Sequence, residues 1–270
     1  MTAPAALAWA AAACGTDLHP VRPLPGGTHA ATTLVRTGDG RQLVLRTFPP
    51  GDPAVHREAD VLARLAGLDG LAPALVAADP DGTHAGRPAI LVTRVPGRPD
   101  ITPADPYRWA ERLGRVLARI HAGDPTGRRR VIPAEPAAYL PAAVRDGWAT
   151  LAGAPEVLTH HDFWSGNTLW TGAELTGVVD WSGAARAPRG FDVSWCRLDL
   201  VLLYDPAVAD AFTTAYGPVD DLALWDTYAA GRAARDVEDW SPNYVELGRT
   251  DLTPTTLRRR LTDWTRRLVP

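Results

Sequence analysis

Apolar and polar positions alternate in two different ways along this chain. Between residues 21 and 48 the apolar residues come in short runs. Ala31-Thr32-Thr33-Leu34-Val35 and Leu43-Val44-Leu45-Arg46 flank the turn Gly38-Asp39-Gly40, and Gly26-Gly27 interrupts the run before them. Short β-rich runs bounded by Gly and Asp predict antiparallel strands, here three. Residues 53–66 change period: Val55, Ala59, Leu62 and Leu65 fall on one helical face, Arg57, Glu58, Asp60 and Arg64 lie elsewhere, and Pro53 suits a first turn. Two more strands are predicted at 74–78 and 89–95 around Asp79-Pro80-Asp81-Gly82, and Val95-Pro96-Gly97 reads as a hinge.

Beyond the hinge the helical period dominates. Trp109, Leu113, Val116, Leu117 and Ile120 predict a helix over 107–121, and further helices are expected at 192–203, 206–216, 220–234 and 254–268, with Asp192 and Thr253 available as caps. Strand-like exceptions are 156–158, and 168–170 facing 175–179 across Thr171-Gly172-Ala173. The Ala-rich segment Pro4–Cys14 has neither the basic leader of a signal peptide nor the length of a membrane span, so a first helix is expected. The predicted fold class is α+β: a small antiparallel-sheet lobe followed by a mainly helical one.

Composition narrows the picture only slightly. A chain of 270 residues suits one large domain or two lobes. A hydrophobic fraction of 46% and a net charge of −3 give no reason to expect nucleic acid or a membrane as partner. All the basic residues are Arg, which reads as coding bias. Cys14 and Cys196, unpaired in spacing, suit buried positions in a reducing cytoplasm.

The chemistry concentrates in His160-His161-Asp162-Phe163-Trp164-Ser165-Gly166-Asn167 and in Val178-Val179-Asp180-Trp181. His160-x-Asp162-x4-Asn167 repeats the spacing of a protein-kinase catalytic loop, in which an Asp takes the proton of the attacking hydroxyl and an Asn and a later Asp hold magnesium. Asp162 is therefore the candidate catalytic residue, and Asn167 and Asp180 are the candidate magnesium ligands. Asp180 ends an apolar run, a costly place for a carboxylate without a metal or hydrogen-bond partner. His160 is expected to tie the loop backbone down, and His161 to stay outside the reaction. A rival reading makes His160, His161 and Asp162 ligands of a metal phosphohydrolase. Adjacent side chains on an extended loop point to opposite sides, which weakens that reading.

Over most of its length the chain resembles the aminoglycoside phosphotransferase family, small-molecule kinases with a two-lobed protein-kinase-like fold. The resemblance implies that residues 1–97 form a nucleotide-binding lobe and residues 98–270 carry the catalytic loop and acceptor site. It implies that Gly26, Gly27 and Thr28, with His29, cover the phosphates of ATP or GTP. It places Arg46, where the family has Lys, against those phosphates and pairs it with Glu58. Backbone groups of Thr93 and Val95 would receive the purine, Val95 donating because Pro96 has no N–H. Asp192 would brace the catalytic loop. Only residues 181–191 separate Asp180 from Asp192, too few for a long regulatory activation loop, so a small acceptor is favoured over a protein.

The resemblance implies transfer of the terminal phosphate to a hydroxyl of an aminoglycoside or other antibiotic. The alternatives are a kinase of a metabolite such as choline or homoserine, or a nucleotide-binding pseudokinase, which the Arg at position 46 would support. Asp236, Glu238, Asp239, Glu246 and Asp251 offer carboxylates to a cationic acceptor or form a solvated surface, and Trp225 and Trp240 stack on a substrate ring or pack the core.

Overall fold

In the computed structural model the described residues are 4–24, 30–66 and 68–268. Gly26, Gly27 and Thr28 lie outside them. The chain forms two compact units, one of residues 1–97 with 176–183 and one of residues 98–175 with 184–270.

The first unit opens with helix α1 (Pro4–Cys14), followed by strands β1 (Leu18–Pro23), β2 (Ala31–Thr37) and β3 (Gln42–Thr47), helix α2 (Ala54–Leu65), and strands β4 (Leu75–Asp79) and β5 (Ala89–Thr93). The five strands make one antiparallel sheet in the order β1-β2-β3-β5-β4. The first strand begins at Leu18, before the expected residue 21, because it pairs with β2 as far as Thr37. Period-two alternation divides the faces of β3. Leu43 and Leu45 turn inward and are buried with Val35, Leu91, Ala6 and Ala10 under α1. The next positions, Val44 and Arg46, are only half-buried. Helix α2 buries Val55, Ala59, Leu62 and Leu65 as its spacing predicts, and buries Glu58 with them.

The second unit contains α3 (Pro106–His121), α4 (Ala142–Asp146), α5 (Trp148–Gly153), β6 (Glu156–Thr159) and β7 (Thr168–Thr171), which turns at Gly172 (φ 59°) into β8 (Glu174–Val178). Within β8 the chain passes into the first unit. It returns through β9 (Ala185–Pro188), then α6 (Gly190–Leu203), α7 (Pro206–Tyr216), α8 (Leu222–Ala233), α9 (Ser241–Glu246) and α10 (Pro254–Leu268). Helix α6 is buried on nearly every side and packs against α7, α8 and α10. Helices α3 and α7 approach so closely that a Cβ on Gly114 would sit 2.3 Å from the Phe212 carbonyl oxygen.

Strand β9 pairs antiparallel with β6, so both ends of the segment that carries the candidate residues are anchored in one ladder. Asp105 and Asp205 cap α3 and α7 by accepting amide hydrogens of their first turns, and Thr253 does so for α10. Asp192 does not cap α6. That helix starts two residues earlier, at Gly190, which leaves the Asp192 carboxylate for another task.

Candidate active site

In the first unit, Arg46 of β3 forms an ion pair through Nη1 with Glu58 Oε1 of α2. The Glu58 side chain is 2% exposed and that of Arg46 13%. Burial pushes the Glu58 carboxyl up to about 7, with Arg46 opposing and Asp180 adding to the shift. The pair is not saturated: Arg46 Nε and Glu58 Oε2 are buried and have no hydrogen-bond partner among the described residues. Such atoms carry an uncompensated desolvation cost until an outside group meets them.

Asp180 follows β8 in the left-handed region, at φ 64°. The bend is held by backbone and side-chain bonds: Val178 N donates to Leu71 O (2.7 Å), Trp181 Nε1 to Val178 O (2.8 Å) and Ser182 Oγ to Asp180 Oδ1 (3.1 Å). The structure thus brings both Arg46 and Asp180 into electrostatic reach of Glu58, as the sequence spacing alone could not show. Thr93 is tied into the sheet, where its amide donates to Ala74 O (2.9 Å) and its Oγ1 accepts from Ala74 N (2.8 Å). The segment behind it is pinned by Thr176 Oγ1 donating to Pro96 O (2.6 Å), and the Val95 side chain fills the space a Cβ on Gly177 would need.

In the second unit, β6 delivers the chain into the loop 160–167. Asp192 is fully buried and accepts two consecutive loop amides, His160 N at 2.6 Å and His161 N at 2.9 Å. Its Oδ2 also lies 3.2 Å from His121 Nε2. Burial would raise this carboxyl, but the His121 hydrogen bond and the neighbouring imidazoles hold it below its ordinary value. His161 has φ 72°, a strained conformation for a residue with a Cβ, and its ring stacks on Phe191 at 4.1 Å. Burial drives the His161 imidazole down to about 4. Among the described residues no three His, Cys, Asp or Glu side chains are grouped so that they could hold a metal ion, and the His161 ring is stacked on Phe191, which goes against the three-ligand metal reading.

The Asp162 carboxylate is held at both oxygens. Trp195 Nε1 donates to Oδ1 (3.3 Å) and Asn167 Nδ2 to Oδ2 (3.1 Å), while Asn167 Nδ2 also donates to the Asp162 carbonyl (2.9 Å). Both Asn167 amide hydrogens are thus directed at the loop, and its Oδ1 remains as a metal-type oxygen donor. The far end of the loop rests on Asp199, which accepts Ser165 N (2.9 Å) and Tyr244 OH (2.8 Å). Burial pushes Asp199 up to about 6, against those hydrogen bonds.

Trp195, Asp199 and Tyr244 were not singled out by the sequence reading. A signal was present: Asp192, Trp195 and Asp199 are spaced i, i+3, i+7 and so share one face of α6. Part of the acidic stretch is paired, and the two tryptophans differ. Glu238 pairs with Arg258, and Asp251 with Arg249. Trp225 is core, 2% exposed, whereas half-buried Trp240 meets Trp195 with ring centroids 5.3 Å apart. Among the described residues no helix is long and apolar enough to cross a membrane.

The sequence profile of a phosphotransferase enzyme family, APH, matches residues 20–233. No curated protein matches the sequence. Among solved structures, macrolide 2'-phosphotransferase MphH from Brachybacterium faecium is 22% identical, with 93% of this chain and 95% of that one covered and a TM-score of 0.60. Choline kinase LicA from Streptococcus pneumoniae is 16% identical over 90% of this chain and 93% of that one, with a TM-score of 0.58. Aminoglycoside phosphotransferase APH(3'')-Id from Streptomyces rimosus, solved with ADP and streptomycin, is 19% identical over 77% of this chain and 90% of that one, with a TM-score of 0.55. At these identities the likeness is one of fold, and it bears out the protein-kinase-like α+β architecture expected from the sequence.

Proposed function

The chain belongs to the phosphotransferase enzyme family, and from that premise we propose that it transfers the terminal phosphate of ATP or GTP to a hydroxyl of a small molecule. The observation that carries this reading is the Asp162 carboxylate, gripped at both oxygens by Trp195 and Asn167 on a loop whose amides are bonded to buried Asp192. Such a fixed base is what acceptor activation needs. Phosphoryl transfer leaves the protein little covalent chemistry, and positioning with charge stabilisation does the rest.

Asp162 orients the acceptor hydroxyl and takes its proton as the hydroxyl oxygen bonds to the terminal phosphorus. The bond from that phosphorus to the bridging oxygen breaks, and the nucleoside diphosphate leaves with the electron pair. Arg46, kept in place by Glu58, offers its remaining guanidinium hydrogens to phosphate oxygens, a role the unpaired buried Nε suits. Asn167, through Oδ1, and Asp180 are the residues that would hold magnesium, consistent with hard oxygen donors. The bound ion would supply charge neutralisation on the phosphates. Gly26, Gly27 and Thr28 remain the proposed phosphate cover, with Thr93 and Val95 at the purine. That Arg46 forms its ion pair with Glu58 favours an active enzyme over a pseudokinase.

The test is phosphate transfer by the purified protein from ATP or GTP with magnesium to pooled aminoglycosides, macrolides, other hydroxylated antibiotics, amino alcohols and hydroxy acids, read by product mass. A gain of one phosphoryl group on a pool member is expected. Tight nucleotide binding with no product from any pool would contradict the proposal.

A further inference from the structure

Arg232 of α8 lies among three rings, its guanidinium carbon 4.6 Å from the Trp195 centroid, 4.9 Å from Phe191 and 5.7 Å from Tyr228. Trp195 is the residue that donates to Asp162, and its ring also meets Trp240. Arg232, Trp195 and Trp240 are all half-buried, so this wall is reachable from solvent. Among the described residues no carboxylate forms an ion pair with Arg232, whereas Arg197, Arg249 and Arg258 of the same unit each have one. The aromatic faces stabilise the cation but do not neutralise it, and a stacked guanidinium keeps N–H donors along its edge.

A half-buried positive charge that forms no ion pair among the described residues, one ring away from the carboxylate that would orient the acceptor, disfavours a polycation at this wall and attracts an anion. The carboxylates that would favour a polycation are partly spent, Glu238 on Arg258 and Asp251 on Arg249. We propose that Arg232, Trp195 and Trp240 form an acceptor subsite for a hydroxylated small molecule that carries a carboxylate or similar single anion beside a flat ring face. Arg232 grips the anion with its free edge, and Trp240 stacks on the ring. This assignment rests on the phosphotransferase reading and separates the chain from kinases of polycationic acceptors.

Isothermal titration of the full chain without nucleotide, using 4-hydroxymandelate, its methyl ester and neomycin as probes, tests it. The acid is expected to bind at least tenfold tighter than the ester and tighter than neomycin. Arg232→Gln should bring the acid to the level of the ester while the ester is little changed, and Arg232→Glu should raise neomycin above the acid. A merely structural Arg232 would weaken all three ligands together. Neomycin binding tightest to the wild type, an acid-to-ester ratio that survives Arg232→Gln, or no saturable binding of the acid at millimolar concentration would overturn the proposal. The wild-type ranking decides the matter if the variants do not fold. Because binding is read without phosphate transfer, the subsite and the enzymatic reading fail separately.

Discussion

The loop around Asp162 and the cluster around Arg46 both rest on a buried carboxylate, and they use it in opposite ways. In the second unit Asp192 is spent: two loop amides and His121 occupy it, and its carboxyl is held below the ordinary value. In the first unit Glu58 is left half-used, with one oxygen on Arg46, the other unpartnered, and its carboxyl pushed up to about 7. A saturated carboxylate stabilises a loop and fixes geometry. An unsaturated one stores a cost that a ligand relieves. The first arrangement suits a loop that must not move; in the second it is the unpartnered Arg46 Nε, not the Glu58 oxygen, that can donate to an anionic ligand.

The contrast breaks most visibly at Asp192. Asp192→Ala leaves two buried amides without acceptors, so stability should fall by about 3 kcal/mol and transfer should be lost, as urea unfolding and product formation would show. An unchanged unfolding midpoint would mean that the loop does not depend on this anchor.

Asp199 comes next. Its carboxyl, raised by burial to about 6, keeps a proton that the unfolded chain releases near pH 4. The folded state is therefore favoured on the acid side, and this contribution declines as pH rises from about 4 to about 6, then stays constant. Asp199→Asn should remove that slope, so that the stability difference between variant and wild type changes by on the order of 2 kcal/mol across the window. Chemical denaturation at a series of pH values measures it, and parallel profiles for the two proteins would refute it.

On the nucleotide side, Arg46→Ala should raise the KM for ATP about tenfold, the loss of one charge-assisted contact of roughly 1.4 kcal/mol. A pure stability defect with unchanged KM would give Arg46 a structural role instead. The smallest effect is expected for Trp195→Phe, which keeps the ring but removes the donor to Asp162. A fall in kcat of about fivefold with KM for nucleotide unchanged corresponds to one hydrogen bond of roughly 1 kcal/mol.

Much of this was legible in the sequence, and for identifiable reasons. The loop residues Asp162 and Asn167 sit five apart, a spacing fixed by local backbone, and the contact between them is local too. Amphipathic α2 and α3 showed their period because each buries a single face. Arg46 and Glu58 were pairable only through the family resemblance, since 12 residues of strand, turn and helix separate them. What stayed hidden depends on tertiary neighbours. Strand β9 is Ala-Arg-Ala-Pro, without β-branched residues or apolar alternation, and exists because β6 offers it a partner. Helices α4 and α5 are too short for periodicity and break at Gly147. Helix α6 is buried on almost every side, which blurs the face that Asp192, Trp195 and Asp199 share. Tyr244 reaches Asp199 across 45 residues of sequence, a contact no local pattern announces.

The most direct measurement compares wild type with Asp162→Asn for phosphate transfer to the acceptor found in the pools and for nucleotide affinity. The isosteric amide keeps the size of the side chain but cannot take the hydroxyl proton, so kcat should drop by about 10²–10⁴-fold while ATP binds within about twofold of wild type. Transfer at an undiminished rate by Asp162→Asn would contradict the assignment of Asp162 as the acceptor-orienting base.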